Sequence, residues 1–126
     1  VVVLAGLQHG NEPAGGEAML VLARELALGS LRPLLDRVTV VIIPHSNPDG
    51  GYYFRRSPYA NTDINRDHVK VDLPETRALH RLVNEFEPHV FVDAHEFSVA
   101  TRWIEKFGVL QSYDLMVQYA TNPNVH

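Results

Sequence analysis

The chain has 126 residues, a length suited to one domain around one hydrophobic core. Its 45% hydrophobic and 21% charged residues match a folded globular chain without low-complexity tracts, and the net charge of -4, with Arg55-Arg56 as the one basic doublet, argues against nucleic acid as the main partner. The absence of cysteine excludes disulfides and thiolate metal sites, and no apolar run reaches the roughly 20 residues of a membrane-spanning helix.

The sequence opens inside an apparent strand without an initiator Met, so it is expected to be an excerpt of something longer, and the lack of a targeting segment carries no information about localisation. Residues 1 to 5 are a short apolar run of the kind that forms a strand buried on both faces, ended by Gly6. Gln8-His9-Gly10-Asn11-Glu12-Pro13 follows. Pro13 suits the first turn of a helix and biases Glu12 towards extended backbone, which places His9 and Glu12 in a strand-to-helix turn. In an open α/β sheet ligands bind beyond the carboxyl ends of the strands. An imidazole and a carboxylate converging there suit zinc. Alternatively, His9 is a turn histidine and Glu12 faces the positive end of a helix dipole.

Over residues 14 to 28 the apolar positions Ala14, Ala18, Val21, Leu22 and Leu26 recur near helical spacing, with Gly29 as the stop. A connection containing Pro33 leads to the β-branched run 38 to 43, a second buried strand. Strand, helix and strand make a parallel crossover unit. Asn47-Pro48-Asp49-Gly50 then reads as a turn. Residues 51 to 73 show no periodicity and are rich in Tyr, Arg, Asn and Asp; a loop of that length inside a compact domain is usually functional or disordered, and its aromatic residues argue for order.

Asp72 is placed to cap the next helix, with Pro74 and Glu75 in its first turn and Leu79, Leu82, Val83 and Phe86 as its buried stripe, ending before Pro88. Residues 90 to 94 form a third apolar strand, and His95 arrives at its end as His9 does after the first. The fold class is therefore α/β, a mostly parallel (mixed) β-sheet flanked by helices on both faces. Parallel strands bring His9, Glu12, the turn at 47 to 50 and His95 to one end of the sheet. Beyond Glu96 the pattern weakens: residues 99 to 104 suggest a strand and 112 to 120 a helix. His45, His68, His80, His89 and His126 read as surface or turn residues. Asp93 shares a face with His95 and is placed to hydrogen-bond within the site, whereas Glu96 alternates away.

Two histidines and one glutamate, with a fourth position left to water, form the ligand set of a catalytic zinc site suited to amide or ester hydrolysis. His9-Gly10-Asn11-Glu12, Asn47-Pro48-Asp49-Gly50, Asp63-Ile64-Asn65-Arg66 and the Asp93-Ala94-His95 strand end occur in the order and rough spacing of the zinc carboxypeptidases; over about residues 1 to 96 the chain resembles members similar to carboxypeptidase A, and the match suggests a bacterial-type member. The resemblance implies one zinc ion held by His9, Glu12 and His95. It implies that Asn65 and Arg66 grip the free carboxylate of the substrate, a task suited to a planar guanidinium. Arg56, seven residues before Asp63, matches the oxyanion-stabilising arginine, with Arg55 as the substitute. Asp63 matches the carboxylate that orients the first zinc histidine.

The family's general-base glutamate and substrate-capping tyrosine lie far downstream of the third zinc ligand, so the chain is expected to be the N-terminal part of an incomplete catalytic domain. The resemblance implies hydrolysis of a C-terminal peptide bond by a zinc-activated water. Two alternatives stand beside it: a zinc-dependent deacylase of N-acyl amino acids, resembling aspartoacylase and succinylglutamate desuccinylase, which also carry His-Gly-Asn-Glu and Asp-x-Asn-Arg although the turn at 47 to 50 resembles the peptidases more, and a non-catalytic metal-binding module on the same fold. The expected partner is a peptide or acyl amino acid with a free carboxylate, with no nucleic acid and no membrane segment in this stretch of chain.

Overall fold

A computed structural model describes residues 1–59, 62–97, 101–108 and 115–117. The chain divides into two compact units, Val1–Glu96 and Phe97–His126. In the first unit, strand β1 (Val2–Gly6) leads into helix α1 (Pro13–Leu28), a 3-10 turn (Arg32–Asp36), strand β2 (Val40–Ile43) and a short helix α2 (Pro48–Tyr52). A second 3-10 turn (Ile64–Arg66), helix α3 (Pro74–Phe86) and strand β3 (Val90–Ala94) complete it.

The three strands form a parallel sheet in the order β2-β1-β3, with Ala5 opposite Ile43 and Asp93, and Gly6 opposite Ala94. Their carboxyl ends therefore lie side by side, and the segments that follow leave the sheet at one end. β1 is the central strand, which explains why Val3 and Ala5 are fully buried. Burial on both faces does not extend to β3, where Val90, Phe91 and Val92 are 42–49% exposed. β3 pairs on one side only among the described residues.

Successive residues of a strand face opposite sides of the sheet, and the two sides of β1 are used differently. Ala5 packs with Ile64 of the second 3-10 turn and Leu79 of α3, joined by Ile43 and Leu73. Gly6 faces α1. A Cβ built on Gly6 would come within 2.9 Å of the Gly15 carbonyl carbon and the Gly16 nitrogen, so helix and strand meet backbone to backbone. This contact turns the buried face of α1 to Gly16, Met19 and Leu26. Ala14, Ala18 and Val21, expected on the buried stripe, are exposed. The helix carries apolar residues nearly all round, so periodicity alone could not fix the face that docks.

Two local expectations are corrected. The Asn47-Pro48-Asp49-Gly50 turn continues into α2, because the Asn47 side chain accepts a hydrogen bond from the Gly50 N–H at 2.8 Å and Pro48 fits the first helical turn. Asp72 does not cap α3, whose N-cap is Leu73 without a side-chain bond. Asp67 instead braces the approach to the helix, accepting from the N–H groups of Asp72 (3.1 Å) and Leu73 (2.8 Å).

In the second unit, helix α4 (Thr101–Phe107) overlaps the segment expected as a strand at 99 to 104. Glu105 and Lys106 extend it with good helix formers, and Gly108, at φ +65°, donates its N–H to the Ile104 carbonyl at 2.8 Å to close the last turn. Most of the helix expected at 112 to 120 lies outside the described residues, and 115–117 within it are not helical.

Candidate metal centre

The site is built where β1 ends. Leu7 adopts a left-handed backbone (φ 52°), which a leucine enters only at some steric cost, and the chain there turns out of the sheet into Gln8 and His9. His9 is 3% exposed and Glu12 8%. The Glu12 N–H donates to the His9 carbonyl at 3.0 Å, a tight turn that sets both side chains towards the same point before Pro13 starts α1. Gly10 is required in this turn, because a Cβ on it would stand 2.0 Å from the carbonyl carbon of Gly50.

His95 reaches Glu12 from the end of β3. The Nδ1 atoms of His9 and His95 lie 2.9 and 2.8 Å from Glu12 Oε1 and Oε2, so the glutamate lies between the two rings, whose centroids are 4.7 Å apart. One ligand atom from each of His9, Glu12 and His95 falls within 4.8 Å of the others, close enough for one ion to bridge. The donor set, two imidazoles and a carboxylate, fits zinc.

Each histidine also turns its second nitrogen to a carboxylate. His9 Nε2 lies 3.2 Å from Asp63 Oδ1, and His95 Nε2 lies 2.8 Å from Asp93 Oδ2. A carboxylate that accepts Nε2–H leaves the Nδ1 lone pair free, the arrangement by which outer groups fix a metal-binding tautomer. The Asp93 bond is the largest influence on His95: it outweighs the ring's partial burial and, with Glu12 assisting, holds the imidazole up to about 9. A metal entering here therefore displaces a proton. Burial pushes the Asp63 carboxyl up, but the Arg56 guanidinium and the His9 ring outweigh it and keep Asp63 below the ordinary carboxylate range.

The long loop after α2 folds over this end of the sheet. Arg56 donates through Nε to Asp63 Oδ2 at 3.0 Å, and its Nη1 is 3.5 Å from Glu12 Oε1. Arg55, the sequence substitute for that role, instead places its guanidinium over the Tyr53 ring, 5.3 Å from its centroid. The Asn65 side-chain nitrogen comes within 3.4 Å of His95 Nε2, while Arg66 is exposed and bonds the Asn65 carbonyl at 2.8 Å. Thus Arg56, Asp63 and Asn65 are brought directly to Glu12, His9 and His95 respectively. Arg66 neighbours them through the 3-10 turn without touching one.

Sequence reasoning missed three contributors. Asn47, fully buried, donates through Nδ2 to the carbonyls of Gln8 and Arg56, both at 3.2 Å, and so ties the ligand turn to the arginine loop. Gln8 bonds Asp93, and His68 bonds Gln8, although His68 reads as a surface residue in sequence. Only the position of Gln8 beside His9 hinted at a role. Glu96 turns away from the cluster: its carboxylate accepts the Ala14 N–H at the start of α1, while its own N–H reaches Glu12 Oε2 at 3.2 Å.

The zinc carboxypeptidase family matches residues 1–119. The chain is 38% identical over 126 residues to Probable carboxypeptidase 2 of Arthroderma benhamiae and 38% identical to Carboxypeptidase 2 of Trichophyton rubrum, in both cases over 98% of its own length. It spans about a quarter of these curated relatives, 24% and 23% respectively. A shorter similarity, 46% over 52 residues, links 37% of the chain to 4% of Carboxypeptidase D of Mus musculus. No solved structure matches significantly.

Proposed function

Because the chain belongs to the zinc carboxypeptidase family, we propose that it carries the metal ligands and the carboxylate-recognition residues of a metallocarboxypeptidase that hydrolyses C-terminal peptide bonds. The observation that carries this reading is the convergence of His9, Glu12 and His95 with Arg56 and Asn65 at one end of a parallel sheet, each histidine backed by its own carboxylate. No finding favours N-acyl amino acids as substrates over peptides.

In this reading His9, Glu12 and His95 hold one zinc ion. When bound, zinc supplies Lewis acidity and lowers the pKa of a bound water towards 7. With the ion bound, Asp63 and Asp93 would accept the Nε2–H of the two imidazoles and so leave Nδ1 of each free to face it. Arg56, held by Asp63 with its guanidinium beside Glu12, carries a fixed positive charge to where an oxyanion develops. Arg66 presents a guanidinium fork to the terminal carboxylate of the substrate, and Asn65 adds an amide donor next to it.

The experiment is hydrolysis by the full-length protein of matched peptides with free and amidated C-termini. Cleavage confined to the free acid is expected, and equal cleavage of both overturns the carboxypeptidase reading.

A further inference from the structure

Behind His95 runs a continuous chain of side-chain contacts leading away from the metal cluster. Asp93 Oδ2 lies 2.8 Å from His95 Nε2 and accepts Gln8 Nε2–H at 2.7 Å. Gln8 Oε1 lies 2.8 Å from His68 Nε2, and His68 Nδ1 lies 3.2 Å from His80 Nε2, with the two rings stacked at 5.4 Å. The chain crosses four separate segments: the end of β3, the turn after β1, the loop before α3, and α3 itself.

An ionised Asp93 only accepts, and this fixes the direction of the bonds as far as His68 Nε2. Gln8 must give its amide N–H to Asp93, so its oxygen faces His68. His68 must then carry a proton on Nε2, and as a neutral ring it accepts on Nδ1 from His80. The ring is neutral in that arrangement. Consistently, burial and the neighbouring His80 lower the His68 pKa, outweighing Asp93 and Asp67. Asp93 Oδ1 is buried with no partner, so the carboxylate is held through Oδ2 alone, by the ligand on one side and Gln8 on the other. Gln8 is 2% exposed and is therefore shielded from water that could compete for its bonds.

We propose that Gln8 and His68, with His80 behind them, are positioning residues that orient Asp93 and thereby hold His95 in its metal-binding tautomer and direction. Such positioning acts on zinc only if the His9, Glu12 and His95 cluster is the metal site proposed above. Partners outside a ligand shell typically account for about 10- to 100-fold in metal affinity, and residues one bond further out belong at the lower end.

The test is zinc affinity of the full-length protein by chelator competition, with melting of the metal-free protein measured in parallel. His68→Phe keeps the ring volume and removes the donor; Gln8→Met keeps the length and removes both polar atoms. Each is expected to weaken zinc binding about tenfold, while His68→Gln, whose amide N–H reaches the place of Nε2, restores most of it. Because the two residues act through one chain, the double variant should bind no more weakly than Gln8→Met alone. If His68→Phe does not fold, His68→Gln against the shorter His68→Asn carries the comparison, with only asparagine expected to weaken binding.

Parent protein that binds no zinc overturns the metal site and this inference together. Parent protein that binds zinc, with His68→Phe binding equally well, overturns the positioning role alone. So do additive losses in the double variant, or a glutamine no better than phenylalanine or asparagine.

Discussion

Asp93 and His95 stand two residues apart on one strand end, share a face, and meet at 2.8 Å between Oδ2 and Nε2. The strand's own alternation thus supplies a candidate ligand and the carboxylate that bonds it. Asp93→Asn keeps the shape and an oxygen acceptor but removes the charge that holds the Nε2 proton. Zinc affinity is expected to fall about 10- to 100-fold, measured by chelator competition at fixed pH. An unchanged dissociation constant would show that His95 needs no such partner.

Arg56 and Arg66 should separate kinetically in the full-length protein. Arg56 is fixed beside Glu12 and Asp63, so Arg56→Ala is expected to lower kcat by roughly 100- to 1000-fold, the usual effect of losing one oxyanion donor. Arg66→Ala, removing a contact made equally by bound substrate and transition state, should raise KM with little change in kcat. Steady-state kinetics on one peptide decides it; a KM effect from Arg56 and a kcat effect from Arg66 would reverse the roles.

Acid stability should depend on Asp67. The Leu73 N–H bond is the largest influence on its carboxyl, and with the Asp72 N–H it outweighs desolvation to leave the pKa below 3.8. The unfolded chain therefore takes up the proton first as pH falls. The contribution of Asp67 is complete above the unfolded value and is lost as pH drops through the folded one. Thermal melts of the parent from pH 6 to pH 2 should show this loss, and Asp67→Asn should be less stable near neutrality with a shallower acid slope. Identical slopes would remove Asp67 from the account.

Metal removal should lower the melting temperature. A ligand at 100 times its dissociation constant stabilises the state that binds it by about 2.7 kcal/mol. The two histidines and the glutamate come from segments more than 80 residues apart, so the ion would tie β3 to the turn after β1. Melts with zinc and with excess chelator should differ by several degrees; coincident curves would argue against a site that binds the folded state.

Gly10→Ala is expected to destabilise the protein by about 1–3 kcal/mol, the usual range for overpacking, because its Cβ would meet backbone that has no rotamer to yield. Chemical denaturation measures it. A neutral substitution would mean that the two loops can separate without loss.

The sheet and the meeting of His9, Glu12 and His95 were legible in sequence for a shared reason. Three apolar runs end in Gly6, Pro44 and His95, so a parallel arrangement aligns their ends and whatever chemistry follows them. The docking face of α1 was not legible, because it depends on a glycine contact between Gly6 and Gly15-Gly16 that no hydrophobic period records. The Asp67 bonds to the Asp72 and Leu73 N–H groups escaped for the same reason: they join residues five and six apart through a loop that folds back on itself. His68 and Asn47 gain their roles only from tertiary neighbours 60 and 39 residues away in the chain.

The contact between Gly10 and Gly50 also bears on how such a site could be transplanted. Gly10 N–H points to the Arg56 carbonyl at 3.4 Å, Asn47 reaches that same carbonyl, and Gly50 accepts the Arg55 N–H at 2.8 Å. The ligand turn and the arginine loop are therefore cast against each other, backbone on backbone. A designer who grafts His-x-x-Glu alone onto another parallel sheet would copy two ligands and lose the arginine. The transferable unit is the pair of loops, with both glycines and Asn47 between them.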